Sequence, residues 1–175
     1  MKSRILIIIL SFNLSLASCQ NSNDGIWKSK VSDLELVFNN QWKLIKPYVD
    51  SNEKVLVGLT DPTDHSSLTV KITEDLPKET VSDERYFGAI KEQMLNANSE
   101  NQLVEENKIE FKGIEYHRLI FFMTTKFGEM THTVYTHRNG EKAIGIQFTY
   151  PKNLTEKPTE KIPSKISKLL NEMKI

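Results

Sequence analysis

The sequence predicts an α+β domain: an antiparallel β-sheet with helices packed on it. Three observations carry this. Several short stretches alternate apolar and polar residues with period two, the signature of half-buried strands. Two other stretches repeat apolar residues three and four positions apart, the signature of helices that bury one face. The order along the chain is four strands, a helix, four strands and a second helix, with no linker, repeat or composition shift within 27–175.

The first strand is expected where Leu34, Leu36 and Phe38 alternate with their neighbours. Asn39-Asn40-Gln41 is a polar turn, and Trp42 to Ile45 starts a second strand that stops before Pro47. Lys54 to Thr60 is a third, apolar at both parities, and Asp61-Pro62-Thr63-Asp64 is turn chemistry. Leu68, Val70 and Ile72 define the fourth. The period then changes. Ser82 is a good helix N-cap, Asp83 and Glu84 suit the first turn, and Phe87, Ile90, Met94 and Ala97 form one stripe that ends near Asn98. Residues 103–111 and 114–124 are strands joined at Lys112-Gly113. The second half of 114–124 is apolar on both faces and should be covered on both. Residues 129–138 and 142–150 form a hairpin about Asn139-Gly140. Past a polar stretch, Ile162, Ile166, Leu169, Leu170 and Met173 form the second helical stripe, with Pro163 tolerated in the first turn.

Composition narrows the classes. The 175 residues carry 23 Lys+Arg against 23 Asp+Glu, so no basic excess marks a nucleic-acid surface. One cysteine rules out a disulfide scaffold, and seven glycines with six prolines rule out a collagen-like or low-complexity chain.

Residues 1–18 read as a signal peptide. Lys2 and Arg4 supply positive charge, Ile5 to Leu10 is a dense apolar run, and Ala17 and Ser18 are small. The apolar stretch is interrupted by Ser11, Asn13 and Ser15, and is too short for a spanning helix of about 20 residues. Leu16-Ala17-Ser18-Cys19 resembles a bacterial lipobox. That resemblance implies cleavage between Ser18 and Cys19 and a diacylglyceryl group on the Cys19 sulfur. Residues 19–26 are then the lipidated Cys and a flexible tether, and residues 27–175 a single domain. Asp24 stands where it could influence sorting to the cell surface. The expected location is the cell envelope, on a bacterial membrane, either at the periplasmic face of the outer membrane or at the cell surface.

The element order resembles the PsbP-like fold, an α/β/α sandwich shared by photosystem PsbP proteins and Mog-type Ran-binding proteins. The resemblance rests on Leu36-Val37-Phe38-Asn39-Asn40-Gln41-Trp42, on Val57-Gly58-Leu59-Thr60-Asp61-Pro62 with Leu68-Thr69-Val70, and on the closing strand and helix, Gly145 to Tyr150 and Ile162 to Met173. It implies binding or assembly rather than chemistry, with no shared catalytic residues.

The residues themselves suggest no catalytic set. No Ser sits in a G-x-S-x-G elbow, and no phosphate-binding glycine loop occurs. Gly145 lies in a strand and marks a bulge or close packing. The glutamates alternate with lysines as solvated faces. His132 and His137 point to opposite faces of one strand, and His117 with Glu115 makes only two ligands, too few for zinc. Asp61, Asp64 and His65 share a loop. They could hold a hard cation, or the aspartates could cap their own turn. Thr131, Thr133, Tyr135 and His137 share one strand face, either an open binding surface or a half-buried face under a helix. Phe38, Trp42, Phe87, Phe121, Phe122 and Phe148 fit core positions, whereas Trp27, Tyr48 and Tyr135 have no obvious place.

The reading is a membrane-anchored envelope lipoprotein acting as a non-catalytic binding or assembly module. Its expected partners are a membrane, through the N-terminal lipid, and a protein, with no cofactor, metal or nucleic acid. An immunity-type protein that neutralises a toxin and an enzyme of unfamiliar type are the alternatives.

Overall fold

Strand patterning and turn chemistry together assemble the sheet. The computed structural model describes residues 25–29, 33–45, 49–50, 53–76 and 82–174, and the signal peptide, Ser18, Cys19, Asp24 and Tyr48 lie outside them. Ten strands are described: β1 Gly25–Lys28, β2 Glu35–Phe38, β3 Lys43–Ile45, β4 Val49–Asp50, β5 Glu53–Thr60, β6 Ser67–Thr73, β7 Gln102–Phe111, β8 Ile114–Thr125, β9 Gly128–Asn139 and β10 Lys142–Pro151. Helix α1 spans Asp83–Asn96 and α2 spans Ser164–Glu172. The main sheet runs β3-β5-β6-β10-β9-β8-β7, with β4 beside β5, and every pairing in it is antiparallel.

The α+β architecture is as expected, with two strands added. β1 pairs with β2 as a separate ribbon. The stretch read as a tether, 19–26, therefore gives up Gly25 and Ile26 to a strand. β4 is a two-residue pairing with β5. Six strands, not four, precede α1.

Local chemistry explains the elements. The backbone N–H of Arg85 donates to Ser82 Oγ, making the expected N-cap of α1, with Asp83 and Glu84 in its first turn. Lys112 and Gly113 both have positive φ, at 53° and 78°, as a two-residue type I′ hairpin turn needs. The mixed parity of β5 comes from a bulge at Leu56, between Val55 and Val57, which lets the adjacent Leu56 and Val57 both be buried along with Leu59. Gly145 marks no bulge: its register is continuous, and a Cβ there would meet Lys71 Cγ at 3.4 Å, an ordinary contact. Pro163 stands just before α2 rather than in its first turn, at φ −51°.

The sheet is covered on both faces. On one side Ile166, Leu169 and Leu170 of α2 pack with Leu36 and Phe38 of β2, and with Tyr116, Tyr135, Phe148 and Tyr150 of the sheet. On the other, Ile90 and Met94 of α1 pack on Leu119, Phe121 and Val134. Side-chain parity in β8 and β9 separates the two cores, as alternation requires. Fully buried apolar side chains of this size stabilise by roughly 1.5–3 kcal/mol each. The two helices differ in how they are held. Residues Ile166, Leu169 and Leu170 of α2 are buried, whereas no residue of α1 is, and Ala97, expected in its stripe, is exposed.

Candidate functional site

A groove of about 280 Å³ opens between the β2–β3 turn and α2. Phe38, Trp42 and Leu169, all buried, form its apolar lining, and Gln41, Lys165, Lys168 and Glu172 bring polar groups to it. Trp42 is placed by its turn, where its N–H donates to the Asn39 carbonyl. The lysines are placed by α2, which turns Leu169 inward and leaves Lys168 exposed.

The loop read as a possible cation site is tied to this groove through two of its lining residues, Gln41 and Lys165. Asp61 is fully buried, and its Oδ1 accepts from the Thr63 N–H and hydroxyl, the second reading of that loop. Its Oδ2 accepts from Gln41 Nε2 at 2.7 Å and from Lys165 Nζ at 2.8 Å. Lys165 also donates to Asp64, whose other oxygen caps Ser66 N–H. An ammonium thus occupies the place a metal would take. Burial pushes the Asp61 carboxyl up, but Lys165 and Thr63 more than reverse it, holding it below the usual aspartate range. His65 takes no part, since its ring stacks on Phe127 at 3.8 Å.

The other histidines each have a neighbour of their own, although His132 Nε2 is buried without a hydrogen-bond partner. His132 is buried with Nδ1 2.7 Å from Thr149 Oγ1, and burial, helped by Lys71, lowers its pKa to about 4. His137 Nδ1 lies 2.9 Å from the Glu115 carbonyl oxygen. His117 stacks on Phe87 at 4.5 Å and sits 3.1 Å from Glu106, while Glu115 pairs with Lys108. Among the described residues no three metal-ligating side chains come together.

The shared face of Thr131, Thr133 and Tyr135 is buried, not open. Arg118, opposite Tyr135 in the register, lies on this face. It donates to Glu105 and Asn107, and more weakly to the Thr159 carbonyl in the stretch before α2. Burial, with Thr131 and Thr133 offsetting part of it, pushes the Tyr150 hydroxyl up to about 12. This is a buried polar layer of the core. Of the expected core aromatics, Trp42, Phe38, Phe121 and Phe148 are buried and Phe87 and Phe122 are partly so. Trp27 packs partly buried against the larger core.

Sequence reasoning missed Lys165, Gln41 and Arg118 as site residues. Lys165 lies 104 positions from Asp61, and nothing local marks it.

No protein-family model matches the chain, and no curated protein matches it in sequence. Its backbone is similar to the solution structure of cyanobacterial PsbP (CyanoP) from Synechocystis, with TM-score 0.56 and 16% identity over 91% of this chain and 98% of that one. The Saccharomyces cerevisiae Ran-binding protein Mog1p matches at TM-score 0.49 and 11% identity, over 87% and 95% of the two chains. A Bacteroides thetaiotaomicron crystal structure matches at TM-score 0.45 and 11% identity, with 89% of this chain covering 48% of it. The chain has the PsbP-like α+β fold, an antiparallel sheet with a helix on each face.

Proposed function

We propose that this protein is a lipid-anchored lipoprotein of the bacterial cell envelope, and that its domain is a non-catalytic binding or assembly module for a protein partner. The observation that carries the binding reading is the charge arrangement at the groove. Lys165 is held between Asp61 and Asp64, and Asp61 has its acceptors filled, so each of the three ions has a partner. Catalytic groups need spare proton or ligand capacity. What the groove offers instead is an apolar lining with a mixed polar rim, a composition suited to an inserted side chain of a partner. The lipobox-like Leu16-Ala17-Ser18-Cys19 supports the anchor.

Two measurements test this. Cys19→Ala is expected to abolish lipid modification and release the protein from membranes, and full retention with unchanged mass overturns the anchor. Crosslinking in the native envelope is expected to capture one protein at stoichiometric yield, and Lys168→Glu at the groove rim is expected to reduce capture at least tenfold. Equal capture by the variant overturns the groove as the docking site.

A further inference from the structure

One end of the domain collects features that no binding groove explains. The register places Thr60, Ser67, Thr149, His132 and Phe121 side by side. Beyond this line, at the same end, lie the 61–66 turn, the 126–127 turn and residues 152–154. The chain also enters here. Gly25 pairs with Phe38, and the turn that follows Phe38 is tied to this end by Gln41 donating to Asp61.

The apolar residues left in solvent gather in the same half of the domain. Among the described residues, the exposed large hydrophobics are Ile26, Val104, Phe127 and Leu154. Ile26 is one position from the entry, and Val104 is near the start of β7, close to that line. Phe127 and Leu154 are each 42% exposed on the end itself. Two ammonium groups accompany them: Lys126 Nζ lies 5.0 Å over the Phe127 ring, and Lys152 Nζ lies 4.4 Å over Phe122 and 3.4 Å from Glu129. His65 stacks under Phe127 and holds the ring in place. The Lys112-Gly113 and Gly140-Glu141 turns, at the opposite end, carry no exposed large hydrophobic.

We infer that this end rests on an anionic bilayer surface, with Phe127 and Leu154 entering the headgroup region and Lys126 and Lys152 meeting lipid phosphates. The inference rests on the lipid-anchor reading of Cys19. Six residue steps separate Cys19 from Gly25, a reach of about 20 Å when fully extended. An anchor on so short a leash keeps the entry end near the membrane. Apolar tips with flanking lysines then match an interface in which rings sit among headgroups and ammonium groups reach outward to phosphate.

The test uses the full chain purified from bacterial membranes and reconstituted in phosphatidylcholine vesicles containing one-third phosphatidylglycerol, with and without brominated acyl chains. In Phe127→Trp, the indole emission above that of the parent protein is expected to shift to the blue and to lose at least half its intensity to bromine. In Lys112→Trp, at the far end, it is expected to keep nearly all of it. Replacing Lys126 and Lys152 by Glu in the Phe127→Trp background is expected to halve the quenching. Unquenched Phe127→Trp emission in a lipidated protein overturns the orientation alone, as does equal quenching at Lys112→Trp. Mass spectrometry of the same sample that finds a bare Cys19 thiol overturns the anchor and, with it, the inference.

Discussion

Lys165, in the first turn of α2, donates to Asp61 at 2.8 Å, joining the last helix to the β5–β6 turn across 104 positions of sequence. Asp61 is fully buried and Lys165 partly so. Such a pair offers little net stability over an apolar pair, because both ions lose their water, yet removing one partner strands the other. The contact therefore positions α2 against the turn more than it stabilises the domain.

Asp61→Ala is expected to lower unfolding stability by about 3 kcal/mol, because Gln41 and both Thr63 donors lose their acceptor and Lys165 is left with Asp64 alone. Urea unfolding measures this. Asp61→Asn combined with Lys165→Met is expected to recover at least half of that loss. If the double variant is no better than Asp61→Ala, the account by lost partners of buried polar groups is wrong.

Acid should destabilise the protein through His132. Its folded pKa of about 4 lies below the unfolded value near 6.5, so the unfolded chain takes up a proton that the folded one refuses. Stability is full above pH 6.5, falls as pH drops towards 4, and loses about 3 kcal/mol across that window. His132→Gln is expected to flatten the window between pH 6.5 and 4.5. Any loss that remains in that window belongs to His117, whose pKa burial also lowers, and the loss at still lower pH is shared by Asp61, Glu35 and Glu106, whose carboxyls are all held below their ordinary values.

Ile166→Ala on α2 is expected to cost 2–5 kcal/mol, the usual range for emptying a fully buried aliphatic site. Ile90→Ala on α1 is expected to cost less than half as much, because no residue of that helix is fully buried. Equal costs in thermal or urea unfolding would contradict the difference in docking.

Hydrogen exchange should rank the elements the same way. β9 lies between β8 and β10 with residues Met130 to Thr136 all buried, so its amides are expected to exchange slowest. α1 is held by half-buried contacts, by the Phe87–His117 stack and by the Arg138–Asp83 ion pair, and its amides are expected to exchange faster than those of β9 and α2.

What the sequence disclosed follows from the range of the interaction. The Ser82 cap and the Lys112-Gly113 turn are settled within four residues, and the structure has them where local chemistry puts them, whereas the hairpin expected about Asn139-Gly140 turns one residue later, at Gly140-Glu141, with Asn139 paired to Lys142. β1 was illegible because its four residues show no alternation and become a strand only through β2. The shared face of Thr131, Thr133 and Tyr135 could be read from parity. Arg118 beside Tyr135 could not, since the register between β8 and β9 is a tertiary fact. The same holds for the Asp61 turn, whose second role depends on a lysine from a distant helix.

The ribbon of β1 and β2 has a mechanical consequence. β2 is gripped from both sides: four residue pairs join it to β1, and Glu35 exchanges both backbone hydrogen bonds with Lys174. The ribbon shares no strand with the large sheet. A pulling force applied at residue 25 is therefore borne first by those four pairs. Such a load would peel a short ribbon before it strained the body of the protein, and the ribbon would re-form once the load passed.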